Sequence, residues 1–295
     1  MVPTTLPLPE SVTQVDGHGG LPCLRVQTSL CTGELYLDGA TVTGWAPEGA
    51  APVLFLSEKA EFSAGRAIRG GVPLCGPWFG RGAGNAKEPA HGIFRISRWT
   101  LVEAREDQGV VILVLGLDSD GSREEFPSGC HARYEVSFGK TLDLRLTVTA
   151  GEAELPLEVA LHTYLAVDDI TQVKVDGFDG CRYADKAPGG RAVNAQYGQV
   201  SFARETDRIY AHEGEVRVLD EAAGRTLLVT KENSGSTVLW NPWQTKAAAL
   251  NDLDDEDWRR MLCVEAANVA RTALALAPGE SHTLRQTVAV DTHAE

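Results

Sequence analysis

Residues 110–117 read VVILVLGL, residues 133–138 read RYEVSF and residues 142–149 read LDLRLTVT. The first is an unbroken apolar run of strand length. The other two alternate apolar and polar side chains with period two, which sets one face of a strand on a core and the other toward water. Gly139 and Lys140 lie between them as turn residues, so 133–138 and 142–149 form an expected hairpin. Working outward, 216–219 and 226–229 flank EAAG as a second hairpin, and 159–167, 173–175 and 284–290 read as further strands. The best helical stretch is short, 254–261, with its acids first and Arg259 and Arg260 last, the order a helix dipole favours. Many short strands with few helices predict an all-β fold, a large antiparallel sandwich or barrel. No linker or shift of composition interrupts the chain, so 1–295 is read as a single domain.

A chain of 295 residues buries roughly three quarters of the surface its unfolded form exposes, enough for a core that needs no disulfide staples. Lys and Arg number 27 against 41 Asp and Glu, a formal charge of −14. Such a surface repels phosphate backbones and anionic headgroups, which argues against nucleic-acid and membrane partners. An anionic ligand would need a local cluster of basic residues working against that field. The N-terminal residues lack the basic and apolar regions of a secretory signal, and no apolar run approaches the ~20 residues of a membrane span. The cysteines (Cys23, Cys31, Cys75, Cys130, Cys181, Cys263) are scattered without a CxxC pair or zinc-ligand spacing. They read as reduced thiols of a cytoplasmic protein. Phosphate-loop, dinucleotide-binding and HExxH signatures are absent.

Segments that concentrate His, Arg, Trp and Gly remain: RGGVPLCGPWFG (69–80), HGIFR (91–95), LHTY (161–164), and WNPWQTKA (240–247) with CVEAANV (263–269). His162 in LHTY sits in an apolar strand pattern, where burial favours neutral imidazole and a small perturbation moves it through the working pH range. Alone, a hydrogen-bonded core histidine is the favoured reading. Glu265 lies among small and apolar residues, where burial raises a carboxyl pKa unless a partner holds the charge. Half of a structural ion pair is the plainer reading. Together the two offer an acid and a base. RGGVPLCGPWFG combines permissive glycines with aromatic faces of the kind sugars stack on, though a rigid packing loop would read the same. If HGIFR is an edge strand, His91, Ile93 and Arg95 share a face.

In this order, GGVPLCGPWFG, HGIFR, LHTY, TDRIY (206–210), WNPW and CVEA, the segments resemble the hexose-6-phosphate mutarotases, or glucose-6-phosphate 1-epimerases, of the aldose 1-epimerase superfamily. The resemblance spans about 69–269. It implies a β-sandwich of the galactose mutarotase type, no metal or organic cofactor, a monomer, and interconversion of the α and β anomers of a hexose 6-phosphate. By motif, His162 resembles the general acid and Glu265 the general base. His91 matches a position that hydrogen-bonds the sugar near the reacting end, and Asp207 one that binds sugar hydroxyls. Arg69 and Arg95 look like the phosphate-holding positions, guanidinium being suited to paired, charge-assisted bonds to phosphate. Arg81 is a weaker third candidate and Lys87 weaker still. The chain departs from the family pattern at Gly76, where a bulky aromatic is expected, at Phe94, where a small residue is common, and at Ala267-Asn268. These departures bear on which hexose phosphate is preferred. A mutarotase for unphosphorylated sugars and a non-catalytic carbohydrate-binding module are the competing readings. A glycosidase fits less well, since it needs paired carboxylates at the reacting bond.

Overall fold

The computed structural model describes residues 6–292. The expected hairpin at Gly139-Lys140 sits inside a nine-stranded antiparallel sheet that runs from Val200–Ser201 at one edge to Thr100–Asp107 at the other. Its middle is formed by Arg225–Glu232, Ser281–Thr292, Leu142–Thr149 and His131–Phe138, next to the apolar strand Val110–Asp118. Along Leu142–Thr149, Leu142, Leu144, Leu146 and Val148 are buried, as the period-two pattern requires. The EAAG hairpin is also present, with Val216 opposite Val229 and Asp220 opposite Arg225.

An eight-stranded antiparallel sheet packs against this one. Its path runs Asn194–Ala195, Arg182–Asp185, Thr206–Ala211, Ser236–Asn241, Met261–Asn268, Val159–Leu161 and Leu74–Cys75, and Tyr164–Ala166 also pairs with Met261–Asn268. One core cluster draws residues from both sheets, among them Leu146, Val229 and Leu284 on one side and Leu161, Leu239 and Val264 on the other. Apolar burial of this extent is what stabilises a two-layer sandwich. A four-stranded meander, Val12–Asp16 to Thr41–Pro47, closes over the nine-stranded sheet. There Trp45 donates its indole N–H to Gly139 O at 3.2 Å. Among the described residues, no helix is long and apolar enough to cross a membrane.

Three local expectations are corrected. The stretch 159–167 is not one strand: it splits into Val159–Leu161 and Tyr164–Ala166 around His162-Thr163, where Thr163 N–H turns back to Leu161 O and His162 N–H leaves for Pro73 O. The stretch 254–261 holds only a 3₁₀ turn, Asp257–Arg260, because Met261 already begins a wholly buried strand. The α-helix, Trp243–Ala247, lies instead just after Pro242. HGIFR is no edge strand: His91 and Gly92 take φ of 64° and 75°, which a β-strand cannot contain, and Phe94–Ile96 is a 3₁₀ turn.

The break at His162-Thr163 is held from behind. Gln286, fully buried on the facing sheet, accepts the Thr163 hydroxyl through Oε1 and donates Nε2 to Val264 O at 2.9 Å. Thr163→Val keeps the shape but leaves that buried amide oxygen unsatisfied, a loss of about 1–3 kcal/mol. Urea denaturation is expected to show a lower midpoint with unchanged m-value.

Candidate active site

Strand register builds the site. All eight residues of Met261–Asn268 are buried, and alternation sets Cys263, Glu265 and Ala267 on one face. Pairing carries that face across the sheet: Asp207 lies opposite Trp240, Trp240 opposite Cys263, Cys263 opposite Tyr164, and Val238 opposite Glu265. The two half-strands on either side of the break keep one register, since Leu161 pairs Ala266 and Tyr164 pairs Cys263. His162 therefore falls opposite Glu265, and its Nδ1 lies 3.5 Å from Glu265 Oε1. The imidazole stacks on Tyr164, with ring centroids 4.8 Å apart at 10°, and meets Trp240 edge to face at 6.0 Å. A cavity of about 290 Å³ opens above this pair. Of the residues singled out in the sequence, Arg69, His91, Arg95, His162, Asp207 and Glu265 all line it.

Burial dominates the electrostatics. It pushes the Glu265 carboxyl well above the usual carboxylate range, reinforced by the Asp207 charge and opposed by Arg95 and Lys186. It holds His162 well below the usual imidazole value, with Arg95 and Arg69 adding to the effect. His91 is lowered in the same way, by burial first and then by Arg95. Asp207 is raised by burial, against the attraction of Lys186 and Lys246. Both members of the central pair thus favour their uncharged forms.

The basic residues divide by partner. Arg69 donates Nη1 to the Tyr164 hydroxyl at 3.0 Å and pairs with Asp252 at 3.1 Å. Arg95 donates Nη2 to Ala90 O at 2.8 Å, and the Nε of both arginines is buried without a hydrogen-bond partner. Arg81 is elsewhere: it is exposed, pairs with Glu88 at 2.7 Å, and borders a separate cavity of about 700 Å³ together with Lys87. Two cavity lysines were not singled out in the sequence. Lys246 reaches Glu205 at 2.8 Å and Asp207 at 4.0 Å, and Lys186 lies over the Phe79 ring at 5.9 Å. Lys246 stands in the WNPWQTKA segment, but Lys186 lies in an ordinary polar stretch that carries no signal. No group of three or more His, Cys, Asp or Glu among the described residues could hold a metal ion.

The sequence profile described as Aldose 1-epimerase matches residues 22–289. The chain belongs to the aldose 1-epimerase family. It is 35% identical over 238 residues to an Escherichia coli protein named "Putative glucose-6-phosphate 1-epimerase", covering 80% of this chain and 79% of that one. A Cenchrus ciliaris protein of the same name is 33% identical over 264 residues, 85% and 78% of the two chains. Among solved structures, "a putative mutarotase (YeaD)" from Salmonella typhimurium superposes with a TM-score of 0.89 at 30% identity, covering 98% of this chain and 97% of that one.

The departures from the aldose 1-epimerase pattern acquire physical reasons. A Cβ built on Gly76 would stand 2.4 Å from the Phe94 ring, and Phe94 is fully buried. Phe94 thus occupies the space that a side chain at 76 would need. Asn268 is turned away from the cavity: it accepts from Gly235 N–H at 2.9 Å and donates to Asn233 O and His282 Nε2, pinning the turn that precedes Ser236–Asn241.

A carboxyl raised on folding binds more protons in the native than in the unfolded state between its ordinary value of 4.5 and its native one. Stability is therefore lost as pH rises above about 4.5. Glu265→Gln removes that loss. The substituted protein is expected to be more stable than wild type at pH 8, with the gap closing toward pH 4.5, as read from urea midpoints across pH.

Proposed function

We propose that this protein is a mutarotase that interconverts the α and β anomers of a hexose 6-phosphate. The observation that carries this reading is a concentration of unsatisfied polar atoms. Of the nine buried side-chain N and O atoms without a hydrogen-bond partner among the described residues, four belong to one cavity: Arg69 Nε, Arg95 Nε, His162 Nδ1 and Glu265 Oε2. Buried polar groups are ordinarily paired, so an imidazole and a carboxyl short of partners, set in one cavity with Arg69, Arg95, Lys186 and Lys246, suit a ligand that carries both hydroxyls and an anionic group. The names of the curated relatives support the same reaction.

In this reading Glu265 takes the proton of the anomeric hydroxyl while His162 protonates the ring oxygen, and the ring C–O bond breaks to give the open aldehyde. Rotation about the adjoining carbon–carbon bond presents the other carbonyl face. The ring oxygen then re-adds, with both proton transfers reversed. Asp207 binds sugar hydroxyls, His91 bonds the reacting end, and Arg69 and Arg95 hold the phosphate. Arg81 stays outside this assignment. The reacting form, Glu265 carboxylate with His162 imidazolium, carries the same single proton as the uncharged pair that burial favours, so the reaction needs no net gain or loss of protons by the pair in either direction. We place the protein in the cytoplasm as a monomeric single domain, a setting in keeping with six free cysteines.

NMR magnetisation transfer between anomers tests the reading. Wild-type protein is expected to accelerate exchange of glucose 6-phosphate well beyond that of glucose. His162→Asn is expected to lose about 10²- to 10⁴-fold in kcat, and Arg95→Ala to raise KM for the phosphate ester about 10-fold or more with little effect on glucose. Equal acceleration of both sugars would remove the phosphate from the proposal.

A further inference from the structure

Behind the site, Cys75 is fully buried, and its Sγ lies 3.5 Å from His91 Nδ1. This contact is built into the sheet. Cys75 pairs with Ala160, two residues before His162, and Ala160 pairs with Ala267, two residues after Glu265. Cys75 therefore stands on the same face as the acid–base pair, one pairing row further along. His91 is brought to it by a loop clamped at both of its backbone groups. Its N–H donates to Gly80 O, and its carbonyl accepts from Gly76 N–H at 3.2 Å. Its φ of 64° aims the ring back over the strand end, where it also meets Phe79 edge-on at 4.6 Å.

We infer that Cys75 is a positioning residue that donates its S–H to His91 Nδ1 and so fixes the tautomer in which Nε2 carries the proton. The inference rests on the mutarotase reading only for the use to which that proton is put. A thiol is a weak donor and a weaker acceptor, whereas a neutral imidazole nitrogen is a good acceptor, so S–H to N is the favoured polarity of this contact. Burial raises the Cys75 thiol well above its ordinary value, opposed by Arg95 and aided by Glu265, so the sulfur keeps its proton. Burial and the charges of Arg95, Lys186 and Arg69 hold His91 neutral, so the ring has only one N–H to place. With Nδ1 committed as acceptor, Nε2–H is the group left for the substrate. A donor there suits an oxygen that gains negative charge as the ring opens. The opposite tautomer would offer that oxygen a lone pair.

The test uses the full chain. Histidine-side-chain ¹⁵N spectra, with the His91 signals assigned by their loss in His91→Asn, report which nitrogen carries the proton. Wild type and Cys75→Ser are expected to show Nε2–H, and Cys75→Ala a mixture of both tautomers. Anomer exchange of glucose 6-phosphate read on the same samples is expected to show a drop of about tenfold in kcat for Cys75→Ala. KM should change less than about twofold, and Cys75→Ser should recover most of the rate. A wild-type spectrum with the proton on Nδ1, or one unchanged in Cys75→Ala, overturns the inference. Wild-type protein that accelerates no sugar while still showing Cys75-dependent Nε2–H would overturn the mutarotase reading and leave the tautomer assignment standing.

Discussion

The structure turns on a carboxyl group placed in the middle of a strand that is buried from end to end. Glu265 has no solvent on either flank of Met261–Asn268, and its neighbour across the register is an equally buried imidazole. Taking either group out of water penalises its charged form, and the two penalties act in opposite directions on the proton affinities. The result is a pair in which burial favours a protonated carboxyl beside a neutral imidazole. Much of the surrounding architecture serves to keep it that way. Gln286 reaches from the opposite sheet to hold the broken strand in register, Tyr164 and Trp240 wall in the imidazole, and the apolar cluster beneath supplies the stability that an uncompensated buried acid withdraws.

Charge is managed locally against a hostile average. The chain carries −14 overall, yet Arg69, Arg95, Lys186 and Lys246 all face one cavity. Two of these cations are already answered, Arg69 by Asp252 and Lys246 by Glu205. Arg95 has no carboxylate within 4.0 Å among the described residues and commits one N–H to a backbone carbonyl. An anion entering the cavity therefore gains most at Arg95 and at Lys186, which also has no carboxylate within 4.0 Å among the described residues. The same guanidinium opposes the rise of the Glu265 carboxyl and depresses both histidines. A negative charge bound at Arg95 would act against all three effects, linking an anion in the cavity to the protonation of the pair through electrostatics alone.

The strand pattern was legible because period-two alternation is a local property: Leu142–Thr149 and its hairpin partner are where VVILVLGL, RYEVSF and LDLRLTVT predict them. The site was legible only in part. His162 and Glu265 are 103 residues apart in sequence (265 minus 162), and nothing in their spacing reveals a common register; only the ordered motifs joined them. The break at His162-Thr163 is decided by a carbonyl at Pro73 and an amide at Gln286, both remote in sequence, so an apolar run read as one strand. HGIFR misled for a related reason. Its alternation mimics a strand, while the fold of the segment is set by the loop docking Gly92 against Gly76, where a Cβ would come within 2.0 Å of Gly76 O. Lys186 enters the cavity from a stretch with no pattern at all.

Two positions near the site answer to local packing and hydrogen bonding. Phe94 fills the space over Gly76 and leaves no room for a side chain there. Asn268 is engaged by the Asn233–Gly235 turn and never reaches the cavity. Phe79, Lys186 and Leu250 form another wall of the same cavity. For a sugar in the cavity, one hydrogen bond made or missing at such a wall would be worth about 1–3 kcal/mol. The buried row of His162 and Glu265 behind it takes its geometry from strand register.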